Sequence, residues 1–79
     1  MQIPIIKKLV EAYTLVQLQD AEAAIMEEQN PEIEVEGKDE GECLTHVLAS
    51  IYIKEKMEQG TAFNQALRDF SQRVRNSIS

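Results

Sequence analysis

A chain of 79 residues with 8 Lys+Arg against 14 Asp+Glu, a net charge of −6 and a single cysteine is one small domain without an internal disulfide. Its size weighs against an enzyme with a deep cleft, and its charge weighs against nucleic acid, whose affinity rests on Lys and Arg neutralising phosphates. No apolar run reaches the ~20 residues of a membrane span, and no leader pattern opens the chain, so no membrane contact is expected and a reducing, cytoplasmic setting is.

The charge is uneven. Asp20 to Glu42 holds ten acids and one base, net −9, whereas Lys54 to the end holds five bases and three acids, net +2. The plainer explanation is helix ends complementing their own dipoles beside a solvated loop. The sharper one sets the acidic middle against the basic tail of a neighbour.

In chain order, the first element is a short helix over residues 4–13, with Pro4 in its first turn and Ile5, Ile6, Leu9, Val10 and Tyr13 on one side. At about ten residues it needs a surface to dock on. Thr14 with Gln17 makes a capping-box pattern that opens a helix over 15–29, ended by Asn30-Pro31. Its apolar face is Leu15, Leu18, Ala21, Ile25 and Met26, with Glu22 in the middle: a rim acid, a buried partner of His46 or of an arginine, or a ligand.

Residues 30–39 are irregular and acidic. Ile33 and Val35 alternate with Glu32, Glu34 and Glu36, which suits an extended linker tucked on the helices or a strand paired with its twin in a dimer; the linker is favoured.

The third helix, expected over 40–58 and opened by Asp39 or Glu40, is the organiser, because it has two apolar stripes. Leu44, Val47, Leu48, Ile51 and Tyr52 fall on one side; Cys43, His46, Ser50, Ile53 and Met57 fall on the other with coiled-coil spacing. A helix with two stripes must be sandwiched or must hold a second chain. The second stripe is accordingly expected to be a homodimer interface. Gly60 suits a left-handed helix end, and Thr61 is expected to cap a last helix over 62–77 whose stripe is Phe63, Ala66, Leu67, Phe70, Val74 and Ile78. Arg68 and Arg75 share one flank of it, and the plainer role for Arg73 and Arg75 is to offset the helix dipole; anion or partner binding is the alternative. The fold class expected is all-α: four helices, the first short, with one acidic loop.

The nearest thing to a site is the start of the third helix, where Asp39, Glu40, Glu42, Cys43 and His46 cluster. Zinc needs three or four ligands, and the weak candidates are Glu22, Glu42 and His46, so neither a metal nor another cofactor is expected. A Cys–His nucleophile lacks an orienting third residue, and the acids around Cys43 would raise its pKa, so no catalytic residue is assigned. There is no G-x-G-x-x-G, Walker-type loop, H-E-x-x-H, C-x-x-C or G-x-S-x-G.

The words DEGECLTH and FNQALRDFSQRVRNSI, with the opening IPIIKKLVEAYTL, resemble a family of short, uncharacterised bacterial proteins known only as a domain of unknown function. The resemblance spans nearly the whole chain and brings no site residues. It implies that a glutamine often replaces Cys43, which sets the thiol aside as the working part and leaves His46 and its neighbouring acids open to such a role, and it implies an accessory role near thiol-redox metabolism. The reading these observations favour is a non-enzymatic protein acting by protein contact or self-association. The alternative is a metal- or ligand-binding accessory protein using Glu42 and His46.

Overall fold

The structure is a computed structural model that describes residues 2–78, the side chains of 77 and 78 excepted. Four helices and no strand are present among these residues: α1 Ile3–Ala12, α2 Leu15–Met26, α3 Glu40–Glu58 and α4 Phe63–Ile78. None is long and apolar enough to cross a membrane.

Local sequence explains most of the boundaries. Thr14 Oγ1 accepts from the Gln17 N–H at 3.2 Å while the Gln17 side chain accepts from the Thr14 N–H at 2.9 Å, a complete capping box for α2. Asp39 opens α3 by accepting from the Glu42 N–H at 2.8 Å. Gly60, at φ +98°, closes it: its N–H reaches the Met57 carbonyl and the Thr61 N–H the Lys56 carbonyl, both at 3.0 Å. Helix α2 ends by the same device three residues before the position expected. Glu28 takes φ +60°, its N–H donates to the Ile25 carbonyl at 3.0 Å, and the Gln29 N–H donates to the Ala24 carbonyl at 2.8 Å. A glutamate thus stands where glycine is the usual occupant. Helix α4 begins one residue later than expected: the carbonyl of Ala62, not Thr61, accepts its first bond, from the Ala66 N–H at 3.0 Å.

Each of the other three helices packs on α3. The chain measures 31 × 30 × 19 Å, and its short dimension is about two helix diameters. One apolar cluster joins Ile6 and Val10 of α1, Ala49 and Ile53 of α3, and Ala66 of α4, with Tyr52, Phe63, Leu67 and Phe70 around it. A second joins Ala21 and Ile25 of α2 to Val47 of α3, with Ile33, Val35, Leu44 and Ile51 at its edge. The alternation of residues 32–36 is therefore that of an extended segment with one side docked on helices, not of a strand.

The expected interface stripe needs correcting. His46, Ser50 and Ile53 are 0% exposed within a single chain, with Ile53 packed on Ile6 and Val10 of α1 and His46 bonded to Gln2 and Glu36; they are core, and no second copy can reach them in this fold. Cys43 is half-buried beneath the loop, and of the stripe only Met57, at the helix end, is open. The opposite stripe is the less covered one. Leu48 is 41% exposed, with Leu44, Ile51 and Tyr52 half-buried beside it. Met26 and Val74, expected to face the core, are also exposed, and Ile78 is described in its backbone only.

Because left-handed backbone is costly for any residue with a Cβ, Glu28→Gly should raise stability by up to about 1 kcal/mol, seen as a higher urea midpoint at unchanged slope. An unchanged or lower midpoint would show that the Glu28 side chain compensates for its own strain.

Candidate functional site

The groups gathered at the start of α3 are held there by the mechanics of a helix N-terminus. Asp39 is the cap. Glu42 accepts from the Lys38 N–H at 3.3 Å, and the Thr45 hydroxyl donates to the Gly41 carbonyl at 2.9 Å.

His46 lies deeper, at 0% exposure, and both of its ring nitrogens are committed. Nε2 accepts from the Gln2 N–H at 3.0 Å, which leaves the ring proton on Nδ1, and Nδ1 donates to the Glu36 carbonyl at 2.9 Å. One imidazole thereby ties the entry of α1 and the end of the loop to α3. Two turns on, Lys54 Nζ donates to the Val10 carbonyl at 2.9 Å, satisfying one of the unpaired carbonyls at the C-terminal end of α1. The two bonds join residues 44 apart in each case, so α1 runs parallel to α3 in a fixed register. Between them the small Ser50 lets α1 come close, its hydroxyl turned back to the His46 carbonyl at 2.7 Å. Sequence reasoning singled out His46 but missed Lys54. The available signal was a lysine eight residues after the histidine, next to a buried isoleucine.

Cys43 sits under the loop, with Sγ 3.6 Å from the Val35 carbonyl. The chain crosses so near that a Cβ on Gly37 would stand 2.7 Å from this sulfur and 2.9 Å from the Cys43 nitrogen, which explains the glycine. Burial pushes the thiol pKa up, and the carboxylates of Asp39, Glu42 and Glu40 push it further. A cleft of about 220 Å³ opens beside it, with Glu40 on one wall and Glu28 on another. That is smaller than the roughly 300–1,000 Å³ of ordinary ligand sites. A protonated thiol facing carboxylates is a poor nucleophile and a poor anion seat.

The weak metal candidates are not brought together. Among the described residues no group of three or more His, Cys, Asp or Glu side chains could hold a metal ion. His46 has no free nitrogen, Glu42 serves the loop backbone, and Glu22 is a half-buried residue on α2.

The remaining distinctive surface is the open side of α3. At 100° per residue, Gly41, Leu48 and Glu55 lie along one line with a drift of about 20° per heptad, and all three are exposed. Leu44 and Ile51 border the line on one side, Thr45 and Tyr52 on the other. Tyr52 is held rigidly: Phe70 lies 5.7 Å away ring to ring, with Arg73 Cζ 5.2 Å and Lys56 Nζ 5.6 Å from the centre of its ring.

A family model matches the chain from residue 1 to residue 79. The chain belongs to the family of unknown function DUF6952. Neither the curated proteins nor the solved structures contain a match. Membership of this family carries no activity with it.

Two outcomes check the site. His46→Ala leaves the Glu36 carbonyl and the Gln2 N–H without their partner, and should cost about 2–4 kcal/mol in urea unfolding, while added zinc leaves the wild-type midpoint unmoved; a loss under about 0.5 kcal/mol would mean that water replaces both bonds. For Cys43 the raised pKa leaves less thiolate at a given pH. Alkylation by iodoacetamide at pH 7.5 should therefore run slower than for a cysteine peptide, and keep climbing past the ~8.5 at which a free thiol is half ionised. Equal rates would refute the acid and burial effects together.

Proposed function

We propose that this domain is a non-enzymatic contact module that pairs with a second copy through the open side of α3. The observation that carries the reading is Leu48: a large apolar side chain, 41% exposed, midway along the helix that holds the whole fold, with half-buried Leu44, Ile51 and Tyr52 around it. Gly41 supports it. A Cβ there would meet nothing nearer than the Asp39 carboxylate at 3.4 Å, so packing within the chain does not require a glycine in this helix, whereas close approach of another helix would use one. The line from Gly41 to Glu55 is about 21 Å long, enough for a helix to lie along it.

A second copy suits this surface because one end of the line is acidic, beside Asp39, Glu40 and Glu42, while at the other end Lys56 and Arg73, next to Tyr52, flank Glu55. An antiparallel pair about a two-fold axis opposes the two helix dipoles and sets Lys56 and Arg73 nearer the acids of the partner; a parallel pair does neither. An enzymatic reading gains nothing from a protonated thiol in a small acidic cleft. The metal-binding accessory reading would need His46, whose nitrogens are both engaged, and the link to thiol-redox metabolism draws no support from Cys43.

Light scattering should give twice the chain mass for the wild type. Leu48→Glu should give a single-chain mass with an unchanged helical circular dichroism spectrum, whereas Ile53→Glu, which puts a carboxylate in the core, should unfold the chain. A wild-type mass of one chain at about 100 μM would end the proposal.

A further inference from the structure

Among the described residues, no hydrogen bond or ion pair within the chain engages Arg68 or Arg75 on the flank of α4, although Arg75 also lies in the last turn, where a cation suits the helix dipole. Arg68 and Arg75 are both exposed and lie two turns apart, which sets their backbones about 10 Å from each other. Between α4 and the start of α1 runs a groove of about 520 Å³ lined by Arg68 and Arg75, whose apolar part is Leu67, half-buried, and Ile3, 49% exposed. Asp69, which also borders it, accepts from the Gln65 amide at 3.0 Å. In a chain of net charge −6, two arginines beside an uncovered isoleucine make a locally basic, partly apolar surface.

We infer that this groove is a docking site for a short acidic segment of another protein, one that carries two carboxylates about 10 Å apart and an apolar side chain between them. Charge complementarity selects the class. A guanidinium binds a carboxylate through two parallel N–H donors, and two such pairs two helical turns apart match residues three apart on a peptide in polyproline II conformation, where three residues make one turn at about 3.1 Å each and both carboxylates share one side. The apolar side chain of the peptide then covers Ile3 and Leu67.

A long polyanion fits less well, because the −9 segment from Asp20 to Glu42 repels anything that extends beyond the groove. A second copy fits less well too. Its acidic loop has already turned Ile33 and Val35 inward against α2 and α3, so it presents glutamates without an apolar side chain to offer.

The test is fluorescence anisotropy of the intact chain with a fluorescein-labelled, twelve-residue peptide repeating Glu-Leu-Val-Glu, at 50 mM salt. Saturable binding is expected. Arg68→Gln with Arg75→Gln should weaken it tenfold or more, and Arg68→Lys with Arg75→Lys should fall in between, since charge is kept and the paired donors are lost. Lys7→Gln with Lys8→Gln, an equal change of net charge on α1, should leave affinity within about twofold. Replacing the glutamates of the peptide by glutamine should abolish binding. The proposal is overturned if the α1 control weakens binding as much as the arginine pair does, or if the peptide fails to bind. It is equally overturned if a twelve-nucleotide single strand binds more tightly at the same salt, or if Arg68→Gln with Arg75→Gln lowers the mass of the protein alone, which would make the occupant a second copy.

Discussion

The attachment of α1 to α3 is the contact on which the rest of the molecule depends. Ten residues of helix do not persist in water, and α1 has no side-chain cap at its entry and no basic residue in its last turn. What it lacks, α3 supplies. His46 takes the backbone N–H at one end and Lys54 the carbonyl near the other, while Ile6 and Val10 disappear into the surface between them. The apolar contact provides adhesion without direction; the two polar bonds fix the register. Because the His46 ring also holds the Glu36 carbonyl, the same anchor decides where the acidic loop ends.

That arrangement explains which parts of the architecture could be read from residues alone. Four helices, the capping box of Thr14 and Gln17, the Asp39 cap and the Gly60 terminus all rest on local rules, and local rules were enough. So was the central place of α3, since only a helix with apolar residues on two sides can be packed from several directions. Which side meets which neighbour is not a local matter. The stripe with His46 and Ser50 has coiled-coil spacing, and by that spacing belongs at an interface. It lies inside because a short helix can approach closely only over small residues, and because an imidazole with two backbone partners is no longer polar in the sense that matters for burial. Glu28 and Ala62 escaped for a simpler reason: neither residue type announces the backbone role it plays.

The same lesson applies to the cluster at the start of α3. Carboxylates, a thiol and an imidazole within one turn or two resemble a reaction centre on paper. In the fold each has prior work. Asp39 satisfies an N–H group that a helix start leaves bare, Glu42 accepts from the N–H of Lys38 in the loop, Cys43 fills the space under Gly37, and His46 is a structural joint. Surfaces with no such duty remain: the line through Leu48, and the two arginines of α4. Both are identified by what they lack inside the chain, and a periodicity rule has no means of showing that.

The constant offset of 44 residues between α1 and the side chains that hold it has a consequence for how the molecule is made. At translation rates of roughly 5–20 residues per second, α1 leaves the ribosome several seconds before Lys54 does. During that interval an amphipathic decamer has no surface to bury Ile6 and Val10, while α2, closed by its own turn signals, can already fluctuate into helix. Contacts of such long sequence separation come late and slow folding. Helix α1 is thus synthesised well before the helix that holds it and is among the last elements to settle, and it stays exposed to chaperones or to a neighbouring nascent chain until α3 arrives.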